Sequence, residues 1–389
     1  MAICLLILAL PAAAQDDWAE SRQKALTFIA QARYADAVPL LEHVLESQEK
    51  DVGPDDPALA PIIDSLASVY RAQGHNPDAE KLYTRSLAIK EKAAGPDSPE
   101  LIADLKPLAG IYAAMARYPE AERAYQRILL LREKSKGFDD LDVATDCASL
   151  AAFYIDRKRY GVAEPALKRA ILIIERKLGP QASELVPVLD PLAALYLSQK
   201  VFDLAEPPLR HIISIQESIY GPNSDKVATY VDKLAQILYL QGHYADAEPL
   251  YRRTLPVWES TLGADSPDLA TTLDNLAAIL AAEEKFAAAE PLYRRSQALR
   301  QKGNVESLNN LALVLAGKGD NAGAELQFKR ALQLAERIPA LPTGQSVGEG
   351  KLLADILRNY AVLLRTMNRE AEAKQLDDRA QKTRGQTER

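Results

Sequence analysis

Few residues in this chain have the type and spacing that chemistry requires. Gly344-Gln345-Ser346-Val347-Gly348 fits the G-x-S-x-G pattern of a serine nucleophile. That pattern works on a sharp strand-to-helix turn which presents the hydroxyl to an oxyanion hole. Here it lies in a Pro- and Gly-containing loop between helical segments, so a serine hydrolase using Ser346 stands only as an alternative reading. Ser21-Arg22-Gln23-Lys24 matches S-x-x-K without the companion motifs of that class. The four histidines, His43, His75, His211 and His243, are scattered without metal-ligand spacing. His75 and His243 both occur in Gln-Gly-His and read as turn residues. No glycine-rich phosphate loop is present. The sequence points to no enzyme, no metal and no cofactor.

The elements that would position such residues are more informative. The 389 residues are 48% hydrophobic and 26% charged, which excludes a disordered or collagen-like chain. A formal charge of −7 and a pI near 5.4 argue against nucleic acid as a partner, because neutralising phosphates needs a basic surface. Residues 1–14 carry no charge: Ile3–Leu10 is apolar but too short to span a bilayer, and Ala12-Ala13-Ala14 supplies a small-residue cleavage pattern. They read as a signal peptide cleaved after Ala14, although the basic opening of such a peptide is missing. The expectation is an exported protein, periplasmic or extracellular, with no membrane-spanning segment in the mature chain. Cys147 is then the only thiol, and no internal disulfide can form.

The remainder repeats. Gly53, Gly95, Gly137, Gly179, Gly221 and Gly263 are each 42 residues apart, in GPDDP, GPDSP, the degraded GFDDL, GPQAS, GPNSD and GADSP. Glycine suits the left-handed position after a helix, and proline beside it stops the helix. Asp56, Ser98 and Ser266 are then predicted to cap the next helix, with Pro57, Pro99 and Pro267 at its first position. Leu66-Ala67 recurs as Leu108-Ala109, Leu150-Ala151, Leu192-Ala193, Leu234-Ala235 and Leu276-Ala277, with apolar residues three before and four after each leucine, which makes one helical face. A second stretch carries an alanine column, Ala37, Ala79, Ala121, Ala163, Ala205, Ala247 and Ala289. Four residues after each alanine stands a bulky residue, from Leu41 and Tyr83 to Tyr251 and Tyr293. The Glu-Pro pairs at 164–165, 206–207, 248–249 and 290–291 are assigned to the first turns of these second helices. Beyond residue 300 the unit continues at steps of 35 and 49, through Leu311-Ala312 and Ala324, then Tyr360-Ala361 and Ala373. Twelve of the 16 tyrosines fall in three of these columns and read as core: 70, 112, 154 and 196; 83, 125, 251 and 293; 34, 118, 160 and 244. Cys147, in a column of aliphatic residues, reads as buried and inert.

The Leu-Ala-x-x-Tyr…Ala-x-x-x-Tyr pattern resembles the tetratricopeptide repeat. The 42-residue period and strings such as NLAAILAAEEKFAAAEPLYRRSQALR are similar to the kinesin-light-chain-like subtype. The resemblance implies an all-α, right-handed superhelical solenoid of about nine helix-turn-helix repeats, first helices lining an inner groove and second helices the outside. Repeats would fill residues 15–380, regular to about 304 and irregular over 305–380, with an inserted loop at 338–350 and a polar tail at 381–389. It implies a non-catalytic scaffold that binds a protein or extended peptide in the groove. A self-assembling structural protein of the envelope is the other alternative.

In the first helices, the residue one before the leucine column can, by the same resemblance, clamp a peptide backbone when it is asparagine, since a carboxamide both donates and accepts. Asn275, Asn310 and Asn359 match that position. The residue two before reads Asp64, Lys106, Ala148, Asp190, Asp232, Asp274 and Asn309. Asp190, Asp232 and Asp274 are expected to favour a basic partner. Tyr239, one turn beyond the Leu-Ala pair, is a candidate to line an apolar subsite. Peptide binding is thus expected in the C-terminal third.

Overall fold

The computed structural model describes residues 12–300, 304–336 and 346–387. Among these there are eighteen α-helices and no strand. The chain divides after Leu195 into two compact units. The first holds α1 (Ala12–Ala30), α2 (Tyr34–Val52), α3 (Ala60–Ala72), α4 (Asn76–Ala94), α5 (Ile102–Ala114), α6 (Tyr118–Lys136), α7 (Leu141–Asp156), α8 (Tyr160–Leu178) and most of α9 (Val186–Ser198). The second holds α10 (Phe202–Tyr220), α11 (Asp225–Leu240), α12 (Tyr244–Leu262), α13 (Leu269–Ala282), α14 (Phe286–Leu299), α15 (Val305–Gly317), α16 (Asn321–Ala335), α17 (Ser346–Thr366) and α18 (Glu370–Thr387). Within each unit an odd-numbered helix packs on the even-numbered one that follows, as α3 on α4 or α13 on α14. The next odd-numbered helix then packs against that pair.

The columns explain why. All nine alanines from Ala37 to Ala373 are fully buried, and the leucines from Leu66 to Leu311 are nearly so. A methyl group at the alanine lets the two helices of a hairpin approach, and the bulky residue one turn later fills the space beside it. Each fully buried leucine contributes about 2 kcal/mol. In the first unit the apolar clusters form around Leu41, Ile63 and Leu66, around Tyr83 and Leu108, and around Leu105 and Ile128. In the second unit one cluster runs from Ile213 to Ala380.

The glycine after each long second helix has φ near +90°, as at Gly53 and Gly263. The Asp56 carboxylate accepts from the Ala58 amide at 2.8 Å, and Ser98 and Ser266 accept from Glu100 and Asp268 at 3.3 Å. Pro57 and Pro99 open short 3-10 turns that lead into α3 and α5. Pro165, Pro249 and Pro291 sit at the sixth residue of α8, α12 and α14, one turn deeper than the sequence suggested. The aromatic at the head of each helix, not the Glu-Pro pair, begins the helical turn. Their neighbours Glu248 and Glu290 instead bond across repeats, to Lys285 and Lys318 respectively. α17 begins at Ser346, so residues 346–350 are helical, and α18 carries residues 381–387. Of the leader, Ala12–Ala14 belong to α1; residues 1–11 lie outside the described residues.

The third tyrosine column is a correction. Tyr34, Tyr160 and Tyr244 are half-buried and Tyr118 is exposed, because these residues open the second helices at the edge of the core. Arg157 covers the Tyr118 ring at 3.9 Å. Cys147 is 1% exposed, and burial pushes its thiol up to about 11.

Candidate groove-face site

On the face of the odd-numbered helices of the second unit, a cavity of 270 Å³ lies between α11, α13 and α15. Tyr239, Asp274, Asn275, Arg300, Glu306 and Asn310 line it. Four residues singled out from the sequence therefore meet there: Tyr239, Asp274, Asn275 and Asn310. The two asparagines come from adjacent first helices, which the 35-residue step aligns.

Both carboxamides are oriented from beneath. Asn275 donates its Nδ2 to the Tyr251 hydroxyl at 3.1 Å. Among the described residues its Oδ1 has no partner, so it stands ready as an acceptor. The Asn310 carboxamide lies near the hydroxyl of Tyr293, where it opposes the rise that burial imposes on that phenol. Tyr251 and Tyr293 are almost wholly buried, and that burial raises both phenols far above their ordinary range. They remain neutral, and the Tyr251 hydroxyl holds the Asn275 carboxamide in place. Asn310 also accepts from Asn309 Nδ2 at 3.2 Å, and Asn309 Oδ1 accepts from Asn359 Nδ2 at 3.1 Å. Asn309 is buried, so it links Asn359 to Asn310 from within.

The aspartates are largely engaged by the protein itself. Asp232 accepts from Thr254 Oγ1 at 2.5 Å and from the Trp258 indole at 2.7 Å, and desolvation raises its carboxyl above the usual range. Asp274 is paired with Arg300 and accepts from Ser307 Oγ at 3.1 Å. Asp190, in the first unit, is half-buried on α9 and does not line this cavity. The rim anion is Glu306, which is exposed and has no ion pair among the described residues. Sequence reasoning missed Arg300 and Glu306; the +26 spacing of Asp274 and Arg300 repeats that of Asp64 and Lys90, and could have signalled the pair.

The first unit contains two buried carboxylates that the sequence reading passed over. Lys90 Nζ bridges Asp64 at 2.7 Å and Asp104 at 2.8 Å, with Asp104 fully buried. Burial, opposed by Lys90 and assisted by the Asp64 charge, raises the Asp104 carboxyl to about 7. Asp146 takes the same place one repeat on, bonded by Arg132 Nε at 3.0 Å and approached by Lys106 at 2.9 Å. Among the described residues no cluster of three or more His, Cys, Asp or Glu could hold a metal, and no helix is long and apolar enough to cross a membrane. Gly344 and Gln345 lie outside the described residues, and Ser346 opens α17.

Eighteen helices built on repeated Leu-Ala and Ala columns define an α-helical repeat protein. A family model described as the tetratricopeptide repeat matches residues 17–92, 184–257 and 225–302, and a second of the same description matches 147–181 and 305–338. The chain belongs to the tetratricopeptide repeat family, whose members typically act as non-catalytic protein-interaction scaffolds. No curated protein matches it in sequence. Among solved structures it is similar to the nearly identical TPR-like repeats of a Podosopora anserina kinesin light chain, at 20% identity over 54% of this chain and 98% of that one, with a TM-score of 0.47. BtubC (BKLC) from P. vanneervenii is similar at 21% identity over 62% and 94%, TM-score 0.45. A tetratricopeptide repeat protein from Parabacteroides merdae is similar at 15% over 77% and 99%, TM-score 0.43.

Proposed function

We propose that the protein is a scaffold that takes an extended peptide segment of a partner protein on the α11–α13–α15 face. The observation that carries this reading is the pair Asn275 and Asn310, lining one cavity, the first bonded to the buried Tyr251 hydroxyl and the second to the buried Asn309. Asn275, with its Nδ2 committed to Tyr251, accepts a peptide N–H through Oδ1. Fixing these groups before binding lowers the ordering cost that a mobile side chain would add. Glu306 favours a basic residue nearby, and Asp232 and Asp274, held by Trp258 and Arg300, contribute less to that preference.

The test is a random peptide library selected on the full chain, with affinities of the recovered peptides measured by fluorescence anisotropy. Two lost hydrogen bonds at about 1 kcal/mol each predict roughly thirty-fold weaker binding in the Asn275→Ala/Asn310→Ala double variant. Affinity within twofold of the parent would overturn the placement.

Export belongs to the same proposal. Its support is the uncharged run through Ile3–Leu10 followed by Ala12-Ala13-Ala14. The intact mass of the protein recovered from an envelope fraction should correspond to a chain beginning at Gln15; a mass that retains Met1 would refute it.

A further inference from the structure

In three repeats the first helix is tied to the second helix of the same repeat by a polar pair 26 residues apart. Asp64 takes Lys90, Asp232 takes Trp258 and Asp274 takes Arg300. Lys106 and Arg132 occupy the same two positions and meet through Asp146. In the repeat of α7 and α8 both positions are apolar: Ala148 and Ile174. No polar pair fills the space there, and Thr145 bonds its own helix at the Leu141 carbonyl. Instead a cavity of 360 Å³ lies against α7, α8 and the start of α9, walled by Leu141, Ala144, Ala148, Ile174, Leu178 and Val188. Leu178 is 44% exposed and Leu141 37%, so the apolar walls reach the surface. The same repeat follows the degraded GFDDL turn, where α7 starts directly at Leu141 without the 3-10 turn that precedes α3 and α5.

The rim carries a sign. Asp139 is paired with Arg176, and Asp142 with Lys136 and Arg132. Glu184, which lines the cavity from the 3-10 turn before α9, is exposed and has no cation partner among the described residues. An apolar pocket beside one uncompensated carboxylate selects a bulky apolar side chain with a cation next to it. The volume is at the lower end of ligand pockets, about 300–1,000 Å³, which suits one anchoring side chain rather than a cofactor.

We propose that this pocket is a second interaction site, on the first unit, for a partner segment in which a phenylalanine-sized apolar residue adjoins lysine or arginine. It is independent of the Asn275–Asn310 site. The probe is acetyl-glycyl-phenylalanyl-arginyl-glycinamide, titrated into methyl-labelled full chain by NMR, with the peptides carrying glutamate for arginine and serine for phenylalanine as comparisons. The arginine peptide should shift the Leu141, Leu178 and Val188 methyls saturably, and more strongly than either comparison peptide. Ala148→Asp/Ile174→Arg introduces the pairing that Asp274 and Arg300 make and should weaken binding at least tenfold, with an unchanged circular dichroism spectrum and methyl spectrum of the second unit showing that the chain is folded. Glu184→Gln should reduce the preference for arginine over glutamate at least threefold, and Asn275→Ala/Asn310→Ala should leave the titration unchanged. The proposal is overturned if these methyls do not move, if they move equally with the serine peptide or in the Ala148→Asp/Ile174→Arg chain, or if they shift with protein concentration alone, which would mean that a second copy covers the pocket.

Discussion

Lys90 is the side chain whose removal tests the electrostatic reasoning most sharply. It is 15% exposed and holds two carboxylates, of which Asp104 is fully buried. Removing one member of a buried ion pair costs about 3–5 kcal/mol, because the remaining charge stays in a low-dielectric site. Asp64, itself 30% exposed, keeps part of its hydration, so the lower end applies. Lys90→Met is therefore expected to destabilise the first unit by about 3 kcal/mol at pH 8. The cost must depend on pH. With the Asp104 carboxyl raised to about 7, the group is protonated two units lower, at pH 5, in the parent as well as in the variant. There the tie to Asp104 is only a hydrogen bond, worth about 1 kcal/mol, and the partly exposed pair with Asp64 is the one charge interaction still lost, so the cost at pH 5 should fall below that at pH 8. The parent has a related signature. A carboxyl whose folded value exceeds its unfolded value of about 3.9 binds more protons when folded, so its contribution to stability is complete below pH 4 and is lost as pH rises to 7, at no more than about 1.4 kcal/mol per unit. Because repeat arrays need not unfold in one step, hydrogen exchange of the α4 and α5 amides at several pH values is the suitable assay, supported by urea titrations. A cost equal at pH 5 and pH 8, or larger at pH 5, would refute the reasoning.

Leu276→Ala, at a site 1% exposed in the second unit, should lower stability by about 3 kcal/mol, read from the urea midpoint by the fluorescence of Trp258. Cys147 should resist thiol reagents in the native protein and react only on unfolding, since thiolate is scarce for a buried thiol raised to about 11; rapid labelling at pH 8 would contradict its burial. Ala116 turns the chain between α5 and α6 at φ +59°, so Ala116→Gly should raise the midpoint by an amount equivalent to about 0.5–1 kcal/mol; a loss would show that the turn is unstrained.

The sequence by itself determined the repeat. The Leu-Ala and Ala columns are visible because the packing of one hairpin involves residues at fixed short offsets, three, four and seven apart, and the glycine after each second helix marks where the hairpin ends. The position of the Asn column was legible for the same reason, while the role expected of it came from the family resemblance alone. What pairs with it was not. Asn275 meets Tyr251, Arg300 meets Asp274, and Lys90 meets Asp104 only after two helices have packed side by side, and several spacings could have served. The turn inside each hairpin was legible only in part: Gln-Gly-His marks two of them, and the left-handed position is Gly74, Gly242 or Gly319 in three repeats, but Ala32, Ala116, Lys158, Lys200, Glu284 and Asn368 elsewhere, because the packed helices force that geometry on residues that do not prefer it. The aspartates illustrate the limit most clearly. Their column is plain in the sequence, yet whether each faces a partner or is held by its own protein depends on the side chain 26 residues later and on how deeply the site is buried. Tertiary structure decided that Asp232 and Asp274 are held, and that Ala148 opposite Ile174 leaves a pocket. Local periodicity builds the helices; the charge and shape of the surfaces they present are set by neighbours distant in the chain.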